Sequence, residues 1–151
     1  MARIGASSAL PPPAPLHVQV LGPDANQRAL ADARRLLSSR SSGRFRRDRL
    51  AHATRVVARC GARTVGVAAY ERVGTELRVI EMAAQAAPAV CPAEVIAQLL
   101  SALEMAALAG GCRRVVLLPD AVLAASTLEP LGYRVMVEGA PGGWLEKTFR
   151  A

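Results

Sequence analysis

Aromatic side chains make up only 3% of this 151-residue chain: one Trp, two Tyr and two Phe. Its core must therefore be built from Ala, Val, Leu and Ile, and it offers few rings on which nucleic-acid bases could stack. Cysteine is sparse as well. Cys60, Cys91 and Cys112 stand singly, with no C-x-x-C pair and no histidine cluster near them. That spacing argues against a metal site or a disulfide framework, and for a reducing, cytoplasmic setting. No apolar run approaches the roughly 18 residues that span a bilayer, so no membrane partner is expected. Acidic residues are missing before Asp24, and residues 1–16 are rich in Pro and Ala around Pro11-Pro12-Pro13. They lack the apolar stretch of a secretory signal. The expected organisation is a flexible N-terminal arm over 1–16 and one domain over 17–151.

What the chain does have is aliphatic bulk and arginine. Hydrophobic residues are 52% and charged residues 21% of the total, a globular balance. A domain of this length buries roughly two-thirds of the surface its unfolded chain exposes, enough for a core without staples. The formal net charge is +7, the pI is about 10.6, and Lys147 is the sole lysine. Arginine forks suit anionic partners, phosphate-bearing cofactors among them. The same composition also follows from a GC-rich bacterial genome, and both readings stand. The densest basic stretch holds Arg40, Arg44, Arg46, Arg47 and Arg49, relieved only by Asp48. It reads either as an anion-binding face or as a solvated helix face.

Along the chain, residues 17–21 read as a short strand ending at Gly22-Pro23. A helix capped by Asp24 or Asn26 follows, carrying Leu30, Ala33, Leu36 and Leu37 at helical spacing. After a Ser/Gly linker, a short helix is expected over residues 45–53. Strands at 54–59, 63–71 and 76–85 then form a meander, with tight turns at Cys60-Gly61-Ala62 and Val73-Gly74-Thr75. Pro92 opens a strong helix whose Val95, Ile96, Leu99, Leu100, Leu103 and Ala107 make one apolar stripe, closed by Gly110-Gly111. Residues 112–118 read as a buried strand, Asp120 caps another helix, and residues 133–137 and 144–149 make a last hairpin.

Four local stretches add to this order. They are Gly61-Ala62-Arg63-Thr64-Val65-Gly66-Val67, Val95-Ile96-Ala97-Gln98-Leu99-Leu100, Gly111-Cys112-Arg113-Arg114-Val115-Val116-Leu117 and Leu128-Glu129-Pro130-Leu131-Gly132-Tyr133-Arg134-Val135. Together, over residues 17–149, they resemble the GNAT superfamily of N-acyltransferases. The resemblance implies an α/β (α+β) fold: a central mixed, mostly antiparallel sheet of about seven strands with about four helices on both faces. It also implies acetyl-CoA as co-substrate and direct acyl transfer to a primary amine of a small molecule or a protein.

A pyrophosphate needs convergent N–H donors and a positive field, which a helix N-terminus supplies. Here that helix begins near Pro92. The family signature Q/R-x-x-G-x-G/A falls without gaps on Pro92-Ala93-Glu94-Val95-Ile96-Ala97, where only Ala97 fits. Pro92 has no N–H, Glu94 puts negative charge in the first turn, and the branched Val95 stands where a glycine would let phosphate approach. The resemblance implies CoA contacts from Gln85, Ala86, Ala87, Ala93, Glu94, Val95, Ile96 and Ala97. The chemistry needs a base for the amine and an acid for the departing thiolate. Glu81 falls where the histone-acetylating branch carries its glutamate base; its other reading is a strand carboxylate paired with Arg78 or Arg113. The usual acid is a Tyr at the position of Leu128, which cannot donate a proton. Tyr133, at a core-like position, is the nearest phenol. No metal is implied.

His17 and His52 are separated and read as surface or satisfied histidines. Cys112 reads as packing, Cys91 as an N-cap or as a thiol activated by the helix terminus. Trp144 reads as a core or dimer contact. Two function classes remain: the acyltransferase, and a catalytically inactive GNAT-like binding or regulatory module, favoured by Pro92, Val95 and Leu128. Nucleic-acid binding through residues 40–49 lacks a motif and aromatic support. An exposed sheet edge or the last hairpin would allow a homodimer.

Overall fold

The computed structural model describes residues 15–22, 31–32, 35–36, 53–86, 90–118, 128–135 and 144–149. Most of the expected N-terminal arm, the Arg-rich stretch 40–49, the expected helix from Asp120, His52 and Ala87 lie outside the described residues. Four strands come first in the chain: β1 (Leu16–Leu21), β2 (Thr54–Cys60), β3 (Arg63–Val73) and β4 (Glu76–Ala84). Valine and alanine dominate β2 to β4, and their near-continuous burial reflects a sheet covered on both faces. Two-residue turns, Gly61-Ala62 and Gly74-Thr75, join them as the sequence led one to expect, each glycine taking the positive φ such hairpins need.

The helix α1 (Pro92–Ala109) carries the chain to β5 (Arg114–Leu117), followed by a 3-10 turn at Glu129–Leu131, β6 (Arg134–Val135) and β7 (Leu145–Thr148). The seven strands form one sheet in the order β1-β2-β3-β4-β5-β7-β6. Every neighbouring pair is antiparallel except β4 and β5, which the α1 crossover makes parallel. This is the mixed sheet of seven strands implied by the sequence. Of the helices, α1 is described in full, and Ala31, Asp32, Arg35 and Leu36 are helical.

Pro92 holds the first position of α1, where its missing N–H costs nothing. The other end closes on Gly110-Gly111, as expected. Cys112 N–H reaches Ala107 O at 2.8 Å and Gly111 N–H reaches Leu108 O at 3.1 Å. Gly111 adopts φ 72°, the left-handed conformation that this double closure demands. With 18 residues and a mean hydropathy of 1.3, α1 is long and apolar enough to cross a membrane by composition. Glu94, Gln98, Ser101 and Glu104 interrupt its apolar run. Its buried third is the expected stripe, which docks on the sheet as an amphipathic core helix does.

The sheet therefore has two apolar faces. Val56, Ala58, Ala68, Leu77, Val79 and Met82 face α1. Leu21, Val57, Val67, Ala69, Ile80 and Ala83 face the other way, where Leu36 packs on them. The tightest contact on the α1 side is at Gly66, where an added Cβ would lie within contact distance of Val95 Cγ1 and 3.1 Å from Leu99 Cδ1. Valine has little χ1 freedom with which to retreat. Gly66→Ala should therefore lower stability by about 1–3 kcal/mol in urea unfolding, with partial recovery in the Gly66→Ala/Val95→Ala double variant. An unchanged midpoint in the single variant would contradict this packing.

Candidate active site

Strand β4 spans nine residues and β5 only four. They pair from Glu76↔Arg114 to Val79↔Leu117, and a last bond runs from Leu118 N–H to Val79 O at 3.0 Å. At that level β4 bulges: Tyr70 faces Val79 and Ala69 faces Glu81, leaving Ile80 as the extra residue. A bulge bends its strand and sharpens the local twist, which here coincides with the point where β4 and β5 part. Gln85 N–H donates to Val65 O at 2.8 Å and so fixes the alternation beyond the bulge. Glu81, Ala83 and Gln85 hydrogen-bond toward β3, whereas Met82 and Ala84 turn their N–H and C=O groups to the side that β5 has left. Among the described residues no strand pairs with that edge.

The α1 N-terminus stands at the same end. Cys91 is the N-cap, as expected, but its exposed side chain makes no cap bond. Its carbonyl accepts from Glu94 N–H at 3.1 Å and Val95 N–H at 3.2 Å. With Pro92 lacking an N–H, Ala93 is left as the first-turn donor not engaged by the helix. Ala86, Ala93 and Glu94 are exposed, and Ala97 is half-buried. Val95 and Ile96 belong to the core, Val95 being 0% exposed. The Val95 side chain points at Gly66 instead of into the preceding loop, so it does not crowd a ligand there. Pro92 and Glu94 remain poor partners for a pyrophosphate.

Glu81 is 2% exposed. The registers align Leu21, Arg55, Ala69 and Glu81 in one row across β1 to β4, on the face away from α1. Arg78, one alternative partner for Glu81, instead pairs with Glu76 at 2.9 Å. Tyr133 lies on the α1 face, 2% exposed, with Lys147 Nζ 5.8 Å from its ring centroid. Lys147 in turn pairs with Glu104 of α1. Burial, reinforced by the Glu104 charge, pushes the Tyr133 phenol far above its usual range. Its hydroxyl has no hydrogen-bond partner among the described residues, and Leu128 is buried beside it in the same core. The structure thus does not bring Glu81 and Tyr133 together. His17 is exposed on β1, Cys112 is buried, and Trp144 is half-buried with the Arg78 guanidinium 5.8 Å from its ring centroid.

At the closed end of the fork, charges tie the strands together. Glu76 on β4 pairs with Arg78 and Arg114, and Arg114 on β5 also reaches Glu146 on β7 at 3.0 Å. Burial alone would raise the Glu76 pKa, but hydrogen bonds and charges from Arg78 and Arg114 together hold it below the usual carboxylate value. The hydrogen bond to Glu76 likewise raises Arg114.

Two parts of this site take their residues from the fold alone. The first is the backbone edge at Met82 and Ala84: the sequence reading makes the strand before the Pro92 helix, splayed from its neighbour, the holder of a pantetheine arm, but it does not name these two residues. The second is a cavity of about 430 Å³ on the face away from α1. Asp32, Arg35 and Leu36 form one wall, the β2–β3 turn at Ala62, Arg63 and Thr64 a second, and Gln85 a third. Gln85 Nε2 donates to Thr64 O at 2.9 Å, which directs this side chain to the cavity and away from the α1 N-terminus.

No family model and no curated protein matches the sequence. Solved structures do match. The chain is similar to IAA acetyltransferase from Bacillus cereus ATCC 14579, at 13% identity and TM-score 0.64 over 89% of this chain and 100% of that one. The fold is that of the GNAT N-acetyltransferases. Aminoglycoside 6'-acetyltransferase type Ii matches at 16% identity and TM-score 0.64, over 87% of this chain and 96% of that one. PaiA N-acetyltransferase from Thermoplasma acidophilum, solved in complex with coenzyme A, matches at 11% identity and TM-score 0.59, over 89% and 99%.

Two outcomes follow from the geometry of this GNAT-type fork. In the unfolded chain Glu76 titrates as an ordinary glutamate, and its folded value lies lower. Its pairing therefore stabilises fully above the unfolded value and is lost as pH falls through the folded one. Stability should decline more steeply below about pH 5 in the wild type than in Glu76→Gln, and parallel curves would mean that the cluster carries no weight. Tyr133→Phe removes a hydroxyl with no hydrogen-bond partner among the described residues, so calorimetry should find stability within about 1 kcal/mol of wild type or above it. A larger loss would reveal a bond to that hydroxyl.

Proposed function

We propose that the chain is an acyl-CoA-dependent N-acyltransferase in which the pantetheine arm and its thioester lie along the gap between β4 and β5. The observation that carries this reading is the edge of β4 beyond its pairing with β5, where among the described residues no strand takes the backbone donors and acceptors of Met82 and Ala84, groups of the kind an amide-bearing arm requires. Acyl-CoA supplies the activated acyl group. The residues fit the arm better than the pyrophosphate, for which the α1 N-terminus offers Ala93 N–H but also Pro92 and Glu94. A backbone N–H of this edge stabilises the charge that develops on the acyl oxygen. Glu81, just past the bulge, accepts the proton that the acceptor amine loses, directly or through water. A C–N bond forms, the C–S bond breaks, and the thiolate takes its proton from solvent, since Tyr133 and Leu128 are enclosed in the core. The acceptor is a primary amine of a small molecule or a protein.

A second reading is a GNAT-like module that binds without turnover, favoured by Pro92, Glu94 and the enclosed Tyr133. Titration calorimetry with acetyl-CoA, followed by thiol release across a panel of amines, separates the two. The enzyme reading expects micromolar binding and turnover, with Glu81→Gln keeping binding and losing on the order of 10²-fold in rate. Binding without turnover, or no binding at millimolar ligand, would remove the enzyme reading and favour the module, with a protein as its partner in the second case.

A further inference from the structure

We infer that the sheet face away from α1 carries a phosphate subsite, built by Arg59 with His17 and Thr64. The inference does not depend on the acyltransferase reading and is tested with inorganic phosphate alone. Register is the first argument. His17 on β1 lies opposite Arg59 on β2, and Arg59 lies opposite Thr64 on β3. The second match requires a bulge: Ala58 faces Gly66, so Val65 is the extra residue that brings Thr64 level with Arg59. Val18 and Ala58 of the adjoining row pack toward α1, so alternation turns His17, Arg59 and Thr64 to the opposite face. Neighbouring strands lie about 4.8 Å apart, which sets an imidazole, a guanidinium and a hydroxyl side by side across three strands.

Unmet hydrogen bonding is the second argument. Arg59 is half-buried and its Nε is enclosed, yet among the described residues nothing accepts from it. Thr64 is 8% exposed, and its Oγ1 likewise has no partner there. A desolvated polar group left unpaired costs more than a typical hydrogen bond returns, and two in one row call for an acceptor from outside the chain. Exposure falls from His17 through Arg59 to Thr64, so the row is entered from the β1 edge.

Charge is the third argument. At the cavity beyond Thr64, Asp32 and Arg63 offset each other and Arg35 has an interaction of its own. Among the described residues Arg59 is thus the uncompensated charge of this corner. A phosphate presents three acceptor oxygens, enough for donors on three strands, whereas a planar carboxylate is matched by the Arg59 fork alone. The rest of a phosphorylated small molecule has the adjoining cavity of about 430 Å³, which Thr64 and Gln85 border.

The test follows the Arg59 Nε–H resonance of the 15N-labelled full chain while inorganic phosphate replaces chloride at constant ionic strength. A shift that saturates at millimolar phosphate is expected, with acetate bound at least about tenfold more weakly. Arg59→Gln, read at the Thr64 amide, should weaken phosphate at least about tenfold. Arg72→Gln removes the same charge from the exposed far end of β3 and should leave affinity within about twofold, since it lies beyond a Debye length. His17→Ala, at an exposed position outside the core, should weaken phosphate at least about threefold and decides the matter if Arg59→Gln does not fold. Equal affinity for acetate, a shift that does not saturate, equal losses in the two arginine variants, or unchanged affinity in His17→Ala would overturn the inference.

Discussion

Parallel pairing between β4 and β5 lasts for four residue pairs and then stops at a bulge. Below that level the two strands are tied by backbone bonds and by the Glu76, Arg78, Arg114 and Glu146 charges. Above it β4 runs on without β5, and among the described residues no strand takes up the hydrogen-bonding groups of Met82 and Ala84. A sheet rarely leaves such an edge exposed inside a domain, because unmade backbone bonds are costly wherever water is excluded. The fork is thus a place of unmet hydrogen-bonding capacity, and the proposed function fills it with an extended ligand that carries its own amides. Glu81, the α1 N-terminus and the Gln85 cavity all take their places from this one parting.

The two sheet faces divide the work. On the α1 side, aliphatic packing is tight enough that Gly66 has no room for a side chain, and Tyr133 is sealed there beside Glu104 and Lys147. On the other side, the same strands carry buried Arg55 and Glu81 and, further along β4, the polar cavity. Burying Arg55 and Glu81 on a largely apolar face is expensive, and such cost is tolerated most readily where charge is needed for chemistry or specificity. Aliphatic packing dominates one face and the other mixes an apolar cluster with buried charge, with β4 as the strand common to both.

Much of this was legible in the sequence because local signals were strong. Gly61 and Gly74 marked the hairpins, the α1 stripe and Gly110-Gly111 set both its buried face and its end, and Pro92 marked its start. Strand β5 proved shorter than the apolar run 112–118, since Cys112 N–H is used in closing α1 on Ala107 O. What escaped was long-range. That Val95 packs on Gly66 depends on two elements 29 positions apart, so a gap-free alignment placed its side chain in the ligand loop. The Ile80 bulge has no residue signature, and backbone donors such as those of Met82 and Ala84 are independent of side-chain identity. The cavity joins residues 32, 35, 36, 62–64 and 85, a grouping that only the folded chain reveals.

The central claim is that the open edge of β4 holds the arm of an acyl-CoA. Backbone amide resonances of the 15N-labelled protein, followed while CoA is added, report on it residue by residue. The account predicts the largest shifts and the strongest gain in exchange protection at Met82 and Ala84, with Ala93 responding at the helix terminus. Saturable binding that leaves Met82 and Ala84 unmoved, with its effects confined to other parts of the sheet, would contradict it.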